Sequence, residues 1–92
     1  MRTSYLICYD ICDDKRQPKV FQTMRNYGDH LQYSVFECQL TSTDLARCRS
    51  DLATIIHHNE DQVLFAEEDD AAAVEQFRTW AFTISRASGG RR

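Results

Sequence analysis

Asp10 closes an otherwise apolar run, Thr3–Ile11 (TSYLICYDI), and an acid in that position needs a reason. A carboxylate buried in a core without a partner is costly, so the side chain must either reach solvent or hold something. Two readings are open. In one, Asp10 is an exposed strand-end acid that caps the loop that follows. In the other it is a ligand for a hard divalent cation, Mg²⁺ or Mn²⁺, which takes carboxylate oxygens and waters and often needs only one or two protein carboxylates. One acid per chain is half a site. Two copies related by a two-fold axis would place a pair of Asp10 carboxylates on one ion, able to activate water for attack on a phosphodiester. Asp13 and Asp14 follow in the loop. Either is a second ligand or the N-cap of the first helix, and their place just before that helix favours the cap.

Lys15, Arg16 and Lys19 gather beside this acidic loop. Such a run is ordinarily a solvated helix face, but it also suits phosphate, gripped in a salt-dependent and sequence-blind way. Arg47, Arg49, Arg86, Arg91 and Arg92 would extend such a patch if they shared its face. Ser34 has no histidine at a recognisable offset, and without a base it is a poor nucleophile. His57 and His58 sit at a helix end, where the dipole accounts for them. Cys8, Cys12, Cys38 and Cys48 contain no C-x-x-C pair, so zinc is not indicated. They read as reduced thiols, and Cys8, Cys38 and Cys48 as small hydrophobes.

The elements that position these residues follow from the apolar spacing. Thr3–Ile11 is apolar on both faces, which predicts a central strand covered on each side. A helix is expected from Asp13 and Asp14 onward, with Pro18 in an early turn and Val20, Phe21, Met24 and Tyr27 on its apolar stripe. Gly28 then supplies a left-handed residue beyond the helix. Residues 31–40 (LQYSVFECQL) are β-rich, as one kinked strand or a tight hairpin whose turn no Gly, Pro or Asn-Gly pair marks. Thr41 and Asp44 have capping-box spacing, and Leu45, Cys48, Leu52 and Ile55 or Ile56 make the stripe of a second helix. Gln62–Ala66 reads as a strand, Glu67–Asp70 as an acidic loop, Ala71–Phe77 as a short helical turn and Arg78–Ile84 (RTWAFTI) as a last strand.

Ninety-two residues make one domain, expected over 1–85, followed by a flexible basic tail over 86–92. The order of elements predicts an α+β, ferredoxin-like (split βαβ) sandwich with an added C-terminal strand. A chain this short buries only roughly 60 to 65% of its unfolded surface. The second apolar face of the first strand therefore predicts a face-to-face homodimer. A net charge of −3 and a pI near 5.5 argue against coating nucleic acid by bulk electrostatics. No apolar run is long enough to cross a bilayer, and no signal-peptide pattern opens the sequence, so a cytoplasmic protein that does not engage a membrane is expected.

Tyr9-Asp10-Ile11, Asp13-Asp14-Lys15-Arg16, Val20, Tyr27-Gly28 and Gln32-Tyr33-Ser34-Val35-Phe36-Glu37 appear in this order across residues 4–67. In that combination the chain resembles the CRISPR-associated Cas-two family of small ferredoxin-like homodimers. The resemblance implies a metal-dependent endonuclease on single-stranded RNA or double-stranded DNA, with Asp10 catalytic and binding Mg²⁺ or Mn²⁺. It also implies a CRISPR adaptation role, as the dimeric bridge between integrase dimers that insert spacers, where the aspartate can be dispensable. Arg16, with Lys15 and Lys19 beside it, falls where family members carry basic residues that touch nucleic acid. Tyr9, Ser34 and Phe36 fall in the segment lining the dimer cleft. A non-catalytic adaptor, a toxin-type ribonuclease of the same fold and a small-molecule regulatory domain are the competing readings, the last weakened by the lack of a Gly-rich loop.

Overall fold

The computed structural model describes residues 1–88. β1 (Thr3–Asp10), α1 (Arg16–Arg25), β2 (Gly28–Gln32), β3 (Val35–Leu40), α2 (Ser42–Ala53), β4 (Gln62–Glu67) and α3 (Ala71–Ser88) follow in that order. The four strands form one antiparallel sheet, β2-β3-β1-β4. β1 is central, as its two-sided apolar sequence requires. β3 lies between β1 and β2, the two strands that α1 connects, which makes the crossover a split one.

Alternation along β1 divides the core in two. Ile7 and Tyr9 pack with Val20 and Met24 of α1, Phe36, Cys38 and Leu40 of β3, and Cys48 and Leu52 of α2. Cys8 faces the other way and packs with Ala66 and Phe77, with Leu6, Val35, Leu64, Ala73 and Trp80 around them. The second layer is α3, which touches both β4 and β1.

That helix replaces the strand expected over Arg78–Ile84. RTWAFTI is β-prone taken alone, but Ala73, Phe77, Trp80 and Ala81 recur at helical spacing and share one face of α3. α3 therefore covers the β1–β4 half of the face that a second copy was expected to cover. It also carries residues 86–88, so the tail expected from 86 onward is helical there; residues 89–92 lie outside the described residues. No helix among the described residues is long and apolar enough to cross a membrane.

α1 begins at Arg16 with Lys15 as its cap residue and without a side-chain cap. Asp13 and Asp14 are thus not side-chain caps: it is the Asp13 carbonyl that accepts from the Arg16 and Gln17 N–H groups, at 3.2 and 3.0 Å. The capping box of α2 forms as its spacing predicts, with Thr41 Oγ1 accepting from Asp44 N–H at 3.0 Å.

Gly28 is not left-handed either, since no glycine among the described residues has a positive φ. It opens β2 opposite Cys38, where an added Cβ would collide with Cys38 Sγ and the Glu37 carbonyl and stand 2.9 Å from Cys38 Cα. The glycine permits close approach of two strands. β2 and β3 form a hairpin closed at Tyr33 and Ser34, with a register shift between His30 and Gln32. Tyr33 takes φ 45°, the left-handed region that two-residue hairpin turns require and that a bulky residue rarely adopts. His30 Nε2 donates to the Tyr33 carbonyl at 2.6 Å, and Tyr9 N–H donates to the Ser34 carbonyl at 3.2 Å, tying the turn to β1.

Candidate functional site

Asp10 is the last residue of β1, paired with Gln62 of β4 and half-buried. By alternation it lies on the same sheet face as Cys8, opposite to Tyr9. Glu37, opposite Leu6 on β3, also lies on that face, and Glu68 follows the end of β4, its N–H donating to the Ser4 carbonyl at 2.9 Å. Hydrogen bonding to Glu37, with burial, pushes the Glu68 carboxyl up, and its Oε1 is buried without a partner. Two acids so close keep one proton between them more readily than either would alone. Among the described residues, no three His, Cys, Asp or Glu side chains converge as a metal-binding group.

Tyr9 and Phe36 are 1% and 0% exposed, with ring centroids 6.3 Å apart. They are core residues of one protomer, under α1, and do not form an open cleft wall. Ser34 is likewise buried. Tyr9 and Ser34 nevertheless floor a depression of about 400 Å³ between α1 and the hairpin turn, completed by Asp14, Gln17, Pro18, Phe21, Gln22 and Tyr33.

The basic residues separate. Lys15, the cap residue of α1, and Lys19 within it are exposed. Arg16 is not available in the same way: its Nε donates to Asp61 Oδ2 at 2.9 Å, and its Nη2 donates to Asp61 Oδ1 at 3.1 Å and to Glu60 Oε1 at 2.9 Å. Asp13 stands 3.6 Å from its Nη1. These acids, Asp61 first, hold the guanidinium charged well above its ordinary range. The expected contact of Arg16 with nucleic acid would draw on a guanidinium that already holds Asp61 and Glu60, so a structural role is what the geometry shows for it.

Asp61, which no spacing argument singled out, is the centre of this network. Its side chain has no exposure, and it also accepts from Cys12 N–H at 2.9 Å and His57 N–H at 2.8 Å. Burial alone would push its carboxyl up. The Arg16 hydrogen bonds and the two backbone N–H groups outweigh that and hold it below the usual carboxylate range. The signal in the sequence was slight: a lone Asp after a polar turn, immediately before an apolar strand.

Burial pushes the Cys38 thiol up to about 11 and that of Cys48 to about 12, which leaves both unreactive near neutrality. Cys12 is the exposed thiol, and its Sγ donates to the Glu60 carbonyl at 2.9 Å.

Residues 3–74 match the family model described as CRISPR associated protein Cas2. A Thermodesulfovibrio yellowstonii protein named CRISPR-associated endoribonuclease Cas2 2 is 43% identical over 68% of this chain and 69% of its own length. A Rhodospirillum rubrum protein named CRISPR-associated endoribonuclease Cas2 1 is 37% identical over 90% of this chain and 85% of its own. The crystal structure of Streptococcus pyogenes Cas2 superposes with a TM-score of 0.63 at 30% identity, covering 67% of this chain and 81% of that one. The family match ends within the first turn of α3, so the helix that closes the second face lies largely beyond it. From β1 through β4, with Asp10 at the end of the central strand, the chain belongs to the CRISPR-associated Cas2 family.

Proposed function

We propose that the chain is a metal-dependent endonuclease working as a homodimer, with Asp10 of each copy contributing one carboxylate to a shared Mg²⁺ or Mn²⁺. The observation that carries this reading is a half-buried carboxylate at the end of the central strand, in a chain whose relatives are named endoribonucleases. One protomer offers no convergent set of three ligands among the described residues, and Mg²⁺ keeps several waters, so Asp10 fits such an ion as one carboxylate of a pair. When bound, the ion supplies Lewis-acid charge for attack of water on a phosphodiester. The protein's part is positional: the β1 ladder to β3 and β4 fixes the Asp10 backbone, and Lys15 and Lys19 offer charge to flanking phosphates.

In this reading the split β-α-β sandwich is of the ferredoxin-like type, and its dimer serves CRISPR adaptation in the cytoplasm together with an integrase. Leu31, 52% exposed, stands at the same end of the sheet as Asp10 and gives a second copy an apolar contact there. RNA is the preferred substrate on the relatives' names, taken as single-stranded from the family resemblance, with duplex DNA as the alternative. A second reading, a non-catalytic adaptor on DNA, draws on the exposed Lys15 and Lys19, which would grip phosphate without chemistry.

The test is cleavage of RNA and of duplex DNA by highly purified protein with Mg²⁺, Mn²⁺ or a chelator, beside Asp10→Ala. Metal-dependent cleavage that falls by about a hundredfold or more in the variant is expected, the scale of losing a principal catalytic group. Equal rates for the two proteins would remove Asp10 from the reaction, and salt-sensitive DNA binding without any cleavage would favour the adaptor.

A further inference from the structure

The depression between α1 and the β2–β3 turn has a chemistry of its own. At about 400 Å³ it lies in the size range of small-ligand sites. Tyr9 lies at its floor, Phe21 and Tyr33 flank it, and Gln17, Gln22, Asp14 and Ser34 are the polar residues of its lining. Tyr33 is 68% exposed, an unusual place for a large ring, and it is held there by a backbone at φ 45°. A bulky residue in that region is strained, and such strain concentrates where a side chain is being aimed. Two anchors keep it aimed: His30 Nε2 donating to the Tyr33 carbonyl, and Tyr9 N–H donating to the neighbouring Ser34 carbonyl.

Cations gather near the opening, beside the one lining acid, Asp14. Lys15 and Lys19 are exposed next to the lining residues Asp14 and Pro18, and the Arg25 guanidinium stands 6.0 Å over the Phe21 ring. Flat rings, amides able to meet a hydrogen-bonding edge, and cations outside the pocket form the combination by which proteins hold unpaired bases while tracking the backbone. A peptide or a second copy of this chain would use the rings but has no need of flanking lysines.

We infer that this depression is a subsite for one unpaired nucleobase of single-stranded RNA, seated against Tyr33 and Phe21 with its edge toward Gln17 and Gln22. The inference rests on the nuclease reading and deepens it. Asp10 follows Tyr9 directly at the same strand end, on the opposite face, so a strand whose base is seated here runs its backbone around the end of β1. Duplex has no base to offer, and the subsite selects against it.

The experiment is binding of a short unstructured RNA to the full chain in chelator, where no metal-dependent cleavage occurs, so the result is independent of whether Asp10 catalyses. Wild type is compared with Tyr33→Gly and Gln17→Ala, each against the RNA, against the same RNA carrying abasic positions, and against a duplex of the same sequence. Tyr33→Gly is the informative variant, because glycine takes the left-handed conformation without strain and the protein folds at least as well without the ring. Expected is a loss of about tenfold in RNA affinity for Tyr33→Gly, a smaller loss for Gln17→Ala, and no change for abasic RNA or duplex. Equal affinity of wild type and Tyr33→Gly for the RNA, or of wild type for intact and abasic RNA, would overturn the subsite. So would a change of oligomeric state on sedimentation of Tyr33→Gly, which would make the depression a contact between copies. Metal-dependent cleavage lost in Asp10→Ala alongside unchanged binding by Tyr33→Gly would defeat the subsite alone, and the converse would defeat only the catalytic role of Asp10.

Discussion

Asp61 joins two connections that periodicity treats as unrelated loops, β1 to α1 through Cys12 and Arg16, and α2 to β4 through His57. Removing one partner of a buried ion pair leaves the rest uncompensated, so Asp61→Asn is expected to cost about 3 kcal/mol in urea unfolding, the lower end of the range because Arg16 keeps 22% exposure. The pH dependence follows from the direction of the shift. A carboxyl held below its ordinary 3.8 in the folded chain adds stability above that value and loses it as the pH falls through the folded pKa. The gap between wild type and Asp61→Asn should hold steady from neutrality down to about 4 and shrink below it, and a gap widening toward acid would contradict the account. Sequence showed Asp10 because a charge interrupting an apolar strand is conspicuous. It hid Asp61, whose ion pair and Cys12 contact come from residues more than forty positions away. The ion pairs of Arg16 were hidden for the same reason: their partners are set by tertiary structure.

Elements were readable where one local signal decides them. β1 shows itself by apolar residues on both faces, and α2 by the reciprocal Thr41 and Asp44 bonds that end-capping spacing announces. The hairpin turn was not, because Tyr33 occupies a conformation normally left to glycine or asparagine. α3 was misread for a physical reason that length explains: seven β-prone residues look like a strand until the Ala71–Ser88 span supplies the 3.6-residue repeat and the open half of the sheet gives its stripe something to bury against. Phe77, 3% exposed between Cys8 and Ala66, is the anchor of that contact. Phe77→Ala should destabilise the fold by about 3 kcal/mol and lower the helical circular dichroism signal on mild heating. Unchanged stability would mean that α3 does not hold this position on the sheet.

At the scale of the molecule, a chain of 92 residues and net charge −3 must draw any grip on nucleic acid from local cations, and α1 offers Lys15 and Lys19 near its start and Arg25 at its other end. Family membership accounts for β1 through β4, while α3 alters the argument for a partner: the face that seemed to demand a second copy is half closed from within. What remains for a second copy is the β2–β3 half of that face and the strand end, where Asp10 and the exposed Leu31 stand. The catalytic proposal requires two Asp10 carboxylates to approach one another there. Cross-linking measures that approach most directly, with Asp10→Cys placed in a Cys12→Ser background to remove the exposed native thiol. A disulfide-linked dimer joined through position 10 under mild oxidation is the expected result, and a monomer, or a dimer that never cross-links at that position, would contradict the shared-metal site.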